Sequence, residues 1–106
     1  MSNDVEVLRI RRRRGDVLKM IRQGHEEQQC RMDDFEVWSW MQDMGFQVGP
    51  KQTVTMLQDL AVLGYIQFKQ GFDNREERTR LREIELTAAG TALVIRRQSN
   101  DEVLFG

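Results

Sequence analysis

The stretch "GPKQTVTMLQDLAVLGYI", residues 49–66, decides the fold. Gly49 suits an N-cap, and Pro50 suits the first helical position, where a missing N–H costs nothing. Val54, Leu57, Leu60, Ala61 and Leu63 recur at three- and four-residue spacing, which predicts one buried helical stripe. Gly64 fits a left-handed C-terminal stop. Tyr65, Ile66 and Phe68 then begin a β-rich run.

On the N-terminal side, residues 5–24 read as a first helix. Its apolar face is Val17, Leu18 and Ile21, with Val5 and Leu8 extending it. Arg11–Arg14 lie between those patches. Gly15 follows and costs about 1 kcal/mol relative to Ala inside a helix, so a break there is one of two readings. A second helix starts at Asp33, an N-cap with Glu36 three residues on as a capping box. Phe35, Trp38 and Met41 share one face, and Val37, Trp40 and Met44 a neighbouring one, which predicts a helix that is well buried or meets a partner, ending at Gly45.

On the C-terminal side, "YIQFKQ" (65–70) and "TRLREIELT" (79–87) are strand candidates around a charged turn, 71–78. Strict alternation puts Arg80, Arg82, Ile84 and Leu86 on one side of the second strand and Leu81, Glu83 and Glu85 on the other. Thr87 caps a last helix whose apolar contacts are expected from Ala92, Leu93 and Ile95. The expected fold class is mainly α with a β-hairpin wing, in the order helix, helix, helix, strand, strand, helix. Residues 1–98 form one domain, and 99–106 a C-terminal tail.

The phrase "MLQDLAVLGYI" running into a hairpin, followed by "LTAAGTALV", resembles winged helix-turn-helix regulators over roughly residues 15–97. With "RRRGDVLKMI", "DDFEVW" and the final "VLFG", the chain also looks like small winged-helix proteins of Mu-like transposable phages and prophages. The resemblance implies double-stranded DNA as partner, a role in transcription regulation, and recognition by the third helix in a major groove. On that helix and the wing, the candidate DNA-binding residues are Lys51, Gln52, Thr53, Thr55, Met56, Arg75, Arg78 and Arg80. Asp59 counts against this, since a carboxylate repels phosphate. Winged-helix regulators are often two-fold dimers, and the apolar termini Val5, Leu8, Val103, Leu104 and Phe105 are the candidate dimer interface.

Charge supports local rather than diffuse contact with nucleic acid. Net charge is −1, yet residues 1–24 carry seven Lys/Arg against three Asp/Glu, and residues 25–64 carry two against seven. A non-specific DNA coat would be basic throughout. The acidic middle, two tryptophans and apolar tail motivate an alternative, a protein-interaction module that docks a protein partner. Catalysis is not expected: His25 and Cys30 lack a third orienting group, and two soft ligands do not make a zinc site. No cofactor, metal or phosphate loop is expected. With no stretch near the roughly 18 apolar residues of a membrane span, and a single cysteine, a cytoplasmic protein with no membrane contact is expected.

Overall fold

A computed structural model describes residues 3–28 and 31–105. Four helices and one antiparallel hairpin follow in the expected order: α1 (Asn3–Gln28), α2 (Asp34–Asp43), α3 (Pro50–Val62), β1 (Ile66–Asp73), β2 (Arg78–Leu86) and α4 (Ala88–Arg96). The caps act as their residue types dictate. The Asp33 carboxylate accepts from the Glu36 N–H at 2.8 Å, and the Glu36 carboxylate accepts from the Asp33 N–H, closing the capping box. Pro50 opens α3, and Gly64 takes the left-handed conformation after it, at φ +87°. The Thr87 hydroxyl accepts from the Gly90 N–H and caps α4.

The core forms where these elements converge. Val17, Leu18 and Ile21 of α1, Val37 and Met41 of α2, and Leu57 and Leu60 of α3 meet Ile66, Leu81 and Ile84 of the hairpin and Val94 of α4. α2 is buried along one stripe only. Its inward stripe is Asp34, Val37 and Met41, while Phe35 and Met44 are about half exposed. On α4, Val94 and Gly90 face inward, whereas the expected contacts Ala92 and Ile95 lie outside, Leu93 alone of that set packing on the core.

α1 runs through Gly15 without a break. The glycine is there because the C-terminal tail crosses it: a Cβ at Gly15 would lie 2.2 Å from the Leu104 carbonyl oxygen. The tail is folded against α1 rather than trailing away. The Leu104 N–H donates to the Arg11 carbonyl at 3.0 Å, and Val103 is fully buried. Asn100 shapes this return, its side-chain oxygen accepting from the Glu102 and Val103 N–H groups at 2.8 Å each.

Strict alternation in β2 fails at one point. Gln67 pairs with Glu85 and Lys69 with Arg82, so Phe68 alone opposes both Glu83 and Ile84. This is a β-bulge, with Glu83 at φ +52°. The extra residue lets Leu81 and Ile84, three apart, both enter the core. The outer edge of β2 is also satisfied. The Ile84 N–H donates to the Met32 carbonyl at 2.9 Å, and the Leu81 N–H donates to the Asp34 carboxylate at 3.0 Å.

Candidate nucleic-acid interface

α3 is set in place by the turn before it. The Trp38 indole N–H and the Gln42 amide both donate to the Val48 carbonyl, at 2.8 and 2.7 Å. α2 thereby fixes the entry of α3, and Trp38 anchors the inside of the fold. From that base, α3 presents Lys51, Gln52 and Thr55 to solvent. The Gln52 side-chain oxygen is committed to the Gly49 N–H at 2.8 Å, which leaves its NH₂ free to donate outward. The Thr55 hydroxyl donates back to the Lys51 carbonyl at 3.1 Å. Gln58, which the sequence reading omitted, donates to the Gln70 side-chain oxygen at 3.2 Å and ties α3 to β1.

Thr53 is not part of this surface. It is fully buried, and its hydroxyl donates to the Gly49 carbonyl at 3.0 Å, so it cannot contact DNA from this position. Met56 is half-buried against the core.

The hairpin lies beside α3. A cleft of about 310 Å³ separates them, walled by Lys51, Thr55 and Gln58 on the helix and by Phe72, Glu77 and Thr79 on the hairpin. Phe72 is an exposed aromatic at its rim. Only residues 74–77 form the tip, shorter than the eight-residue charged turn expected, because both strands run further than their apolar residues extend. Asp73 organises it, its carboxylate accepting from the Arg75 N–H at 2.8 Å and the Glu76 N–H at 3.3 Å. Those bonds, the Glu76 one foremost, hold the Asp73 carboxyl below its ordinary range. Arg75 projects into solvent from this tip.

The two other expected wing contacts are held by carboxylates, although Arg78 also lines the cleft beside α3. Arg80 donates from Nε to the Asp34 carboxylate at 2.9 Å, with Asp33 at 3.6 Å and Asp73 at 4.0 Å around it. Arg78 lies 3.5 Å from Asp34 and also pairs with Glu76. Asp34 is 2% exposed, and the two arginine side chains are 13% and 16% exposed. The hydrogen bond it donates to Asp34, and the surrounding carboxylates, raise the Arg80 pKa further, so it stays charged. Arg78 and Arg80 therefore clamp the hairpin to the start of α2, and their charge is engaged by Asp34 and its neighbours. Arg82, by contrast, is exposed and has no ion-pair partner among the described residues. What hid the clamp from the sequence was Asp34, a helical N1 residue that reads as ordinary first-turn charge.

The arginine run divides likewise. Arg11 hydrogen-bonds the Asn100 carbonyl, and Arg14 pairs with Glu102 at 2.8 Å and lies 3.8 Å from Asp59. These two hold the tail, while Arg12 stays exposed and Arg13 half-exposed. Of the residues assigned to a dimer interface, Val5 and Leu8 are exposed. Val103 lies in the chain's own core, and Leu104 and Phe105 are half-buried beside it. The apolar tail is thus consumed by the fold, because crossing α1 at Gly15 buries it within one chain. His25 is exposed, and Cys30 lies outside the described residues. Among the described residues no cluster of His, Cys, Asp or Glu could hold a metal ion, and no helix is long and apolar enough to cross a membrane. No family model, no curated protein and no solved structure matches this chain.

Proposed function

We propose that the chain is a winged helix-turn-helix protein that binds duplex DNA, with α3 in the major groove and the hairpin tip on the adjacent backbone. The observation that carries this reading is the shared cleft: α3 and the hairpin present Lys51, Thr55, Gln58 and Phe72 on one side of the molecule. Lys51 and Gln52 supply donors for phosphate and base edges, and Arg75 supplies a backbone contact at the tip. The resemblance to winged helix-turn-helix regulators supports a role in transcription regulation, and that to Mu-like phage and prophage proteins supports a phage origin. The clamp at Asp34 gives the pair its fixed spacing, since a wing that swung freely would lose binding energy to ordering. The protein-interaction alternative has weaker support. Val103 is inside the core, and Asp33 and Asp34 spend their charge on Arg80.

A fluorescence anisotropy titration against a labelled random duplex tests the proposal. Affinity is expected to fall tenfold or more between about 50 and 200 mM salt. Lys51→Ala with Arg75→Ala should weaken binding at both salts and flatten the log–log salt slope by about two. Absence of binding at the lower salt, or an unchanged slope in the double variant, overturns it.

A further inference from the structure

On the exposed face of α3, two side-chain hydrogen bonds fix which polar groups remain for a ligand. The Gly49 N–H can only donate, so the Gln52 atom 2.8 Å from it must be the carbonyl oxygen. That oxygen is occupied, and the Gln52 NH₂ is left to face solvent. The Lys51 carbonyl can only accept, so the Thr55 hydroxyl, 3.1 Å away, must be the donor. Its hydrogen is occupied, and its lone pairs are left to accept. Lys51, an ammonium, donates only. Lys51, Thr55 and Asp59 stand four residues apart along one exposed stripe. Asp59 accepts only, and Arg14 at 3.8 Å meets part of its charge. The stripe therefore donates over its first turn, at Lys51 and Gln52, and accepts beyond it, at Thr55 and Asp59.

We propose that this order makes α3 a reader of guanine rather than adenine, a specificity that rests on the DNA binding proposed above. An unconstrained glutamine reads adenine by two bonds, its oxygen accepting from N6 and its NH₂ donating to N7. Gln52 cannot make the first, because its oxygen is held by Gly49. Over adenine its NH₂ would meet the N6 amine, donor against donor. Guanine presents two acceptors, O6 and N7, and suits both Gln52 and Lys51, whereas thymine offers O4 alone. Thr55 and Asp59 need the opposite chemistry, an exocyclic amine, which a G·C pair supplies as cytosine N4. Adjacent G·C pairs satisfy both halves of the stripe, with guanine edges at the first turn and cytosine amines at the next. Turning Gln52 to read adenine would release the Gly49 N–H and undo that cap at the start of α3.

Selection of a randomised duplex library on the full chain tests this, at about 50 mM salt, followed by anisotropy on the enriched duplex. The enriched duplex should carry adjacent G·C pairs. Exchange of a selected guanine for adenine should weaken binding about fivefold or more, the low end for a good base contact. 7-Deazaguanine, which lacks the N7 acceptor, should weaken it too. Inosine, which keeps O6 and N7 and lacks only the minor-groove amine, should bind like guanine. Gln52→Glu is the most telling variant. Its carboxylate still accepts from the Gly49 N–H, so the helix start is kept, while the outward donor becomes an acceptor. It should bind more weakly and select cytosine where the parent selects guanine. Thr55→Val should retain the guanine and lose the preference beside it. A chain that binds duplex DNA yet enriches no guanine, or a Gln52→Glu variant that selects the parent's sequence, overturns the inference and leaves the proposed function standing. No binding at the lower salt overturns both.

Discussion

Asp34 ties the start of α2 to the hairpin. Its carboxylate accepts from Arg80, Arg78 and the Leu81 backbone N–H, coupling α2 to the middle of β2. Burying a carboxylate is costly unless it is paired and hydrogen-bonded, and here both conditions hold. Asp34→Ala should cost on the order of 3 kcal/mol, the low end for breaking a buried ion pair, because the two arginines can still reach water. Urea denaturation measures this, and a loss below about 1 kcal/mol would reduce the clamp to an ordinary surface pair. At Gly15 two effects oppose each other. Helix propensity alone predicts that Gly15→Ala stabilises α1 by about 1 kcal/mol. The Leu104 carbonyl, 2.2 Å from the added Cβ, predicts the reverse, because backbone must move. The clash should win. A lowered melting temperature and faster proteolysis at residues 99–105 are expected, and a higher melting temperature would show that the tail yields without cost.

At the scale of the element, the hairpin is the least regular piece and the one on which the proposed interface depends. Its bulge places Glu83 in the left-handed region, where a residue with a Cβ is disfavoured by about 1–2 kcal/mol. Exposed pairs with Lys69, at 2.7 Å, and Arg31, at 3.9 Å, compensate in part, and Lys69 holds the Glu83 carboxyl below its ordinary range. Glu83→Gly should therefore be neutral or slightly stabilising, whereas Glu83→Val should destabilise by 1 kcal/mol or more, a β-branched residue being the poorest at positive φ. Thermal unfolding of the two variants, read against Leu81 and Ile84 amide protection, distinguishes a bulge that sets the strand register from a passive irregularity.

For the whole molecule, the C-terminal residues complete the core. The radius of gyration is 13.4 Å, slightly above the roughly 13 Å of an average domain this long, and the excess reflects the reach of α1. The tail closes the opposite flank through Val103, the Asn100 turn and Arg14–Glu102, and Asn100 also donates to the Tyr65 hydroxyl at 3.0 Å. Deletion of residues 99–106 should lower stability by about 2 kcal/mol or more, the burial energy of Val103 and its apolar neighbours, and should uncover Arg11 and Arg14. Unchanged urea denaturation would mean that the tail merely rests on the surface.

Local chemistry in the sequence determined the element order, the Asp33–Glu36 capping box, the Pro50 start and Gly64 stop of α3, and the Thr87 cap. Each depends on residues within a few positions of one another, so a linear reading captures it. Tertiary structure alone decided why Gly15 is glycine, which arginines are free, and where β2 changes phase. Gly15 answers to Leu104, and Arg78 and Arg80 answer to Asp34, across 44 or more residues of chain. Arginine has the same composition and periodicity whether it meets solvent or a buried carboxylate. Only the packing of α2 against the hairpin distinguishes the clamp at Arg78 and Arg80 from the open contacts at Lys51 and Arg75.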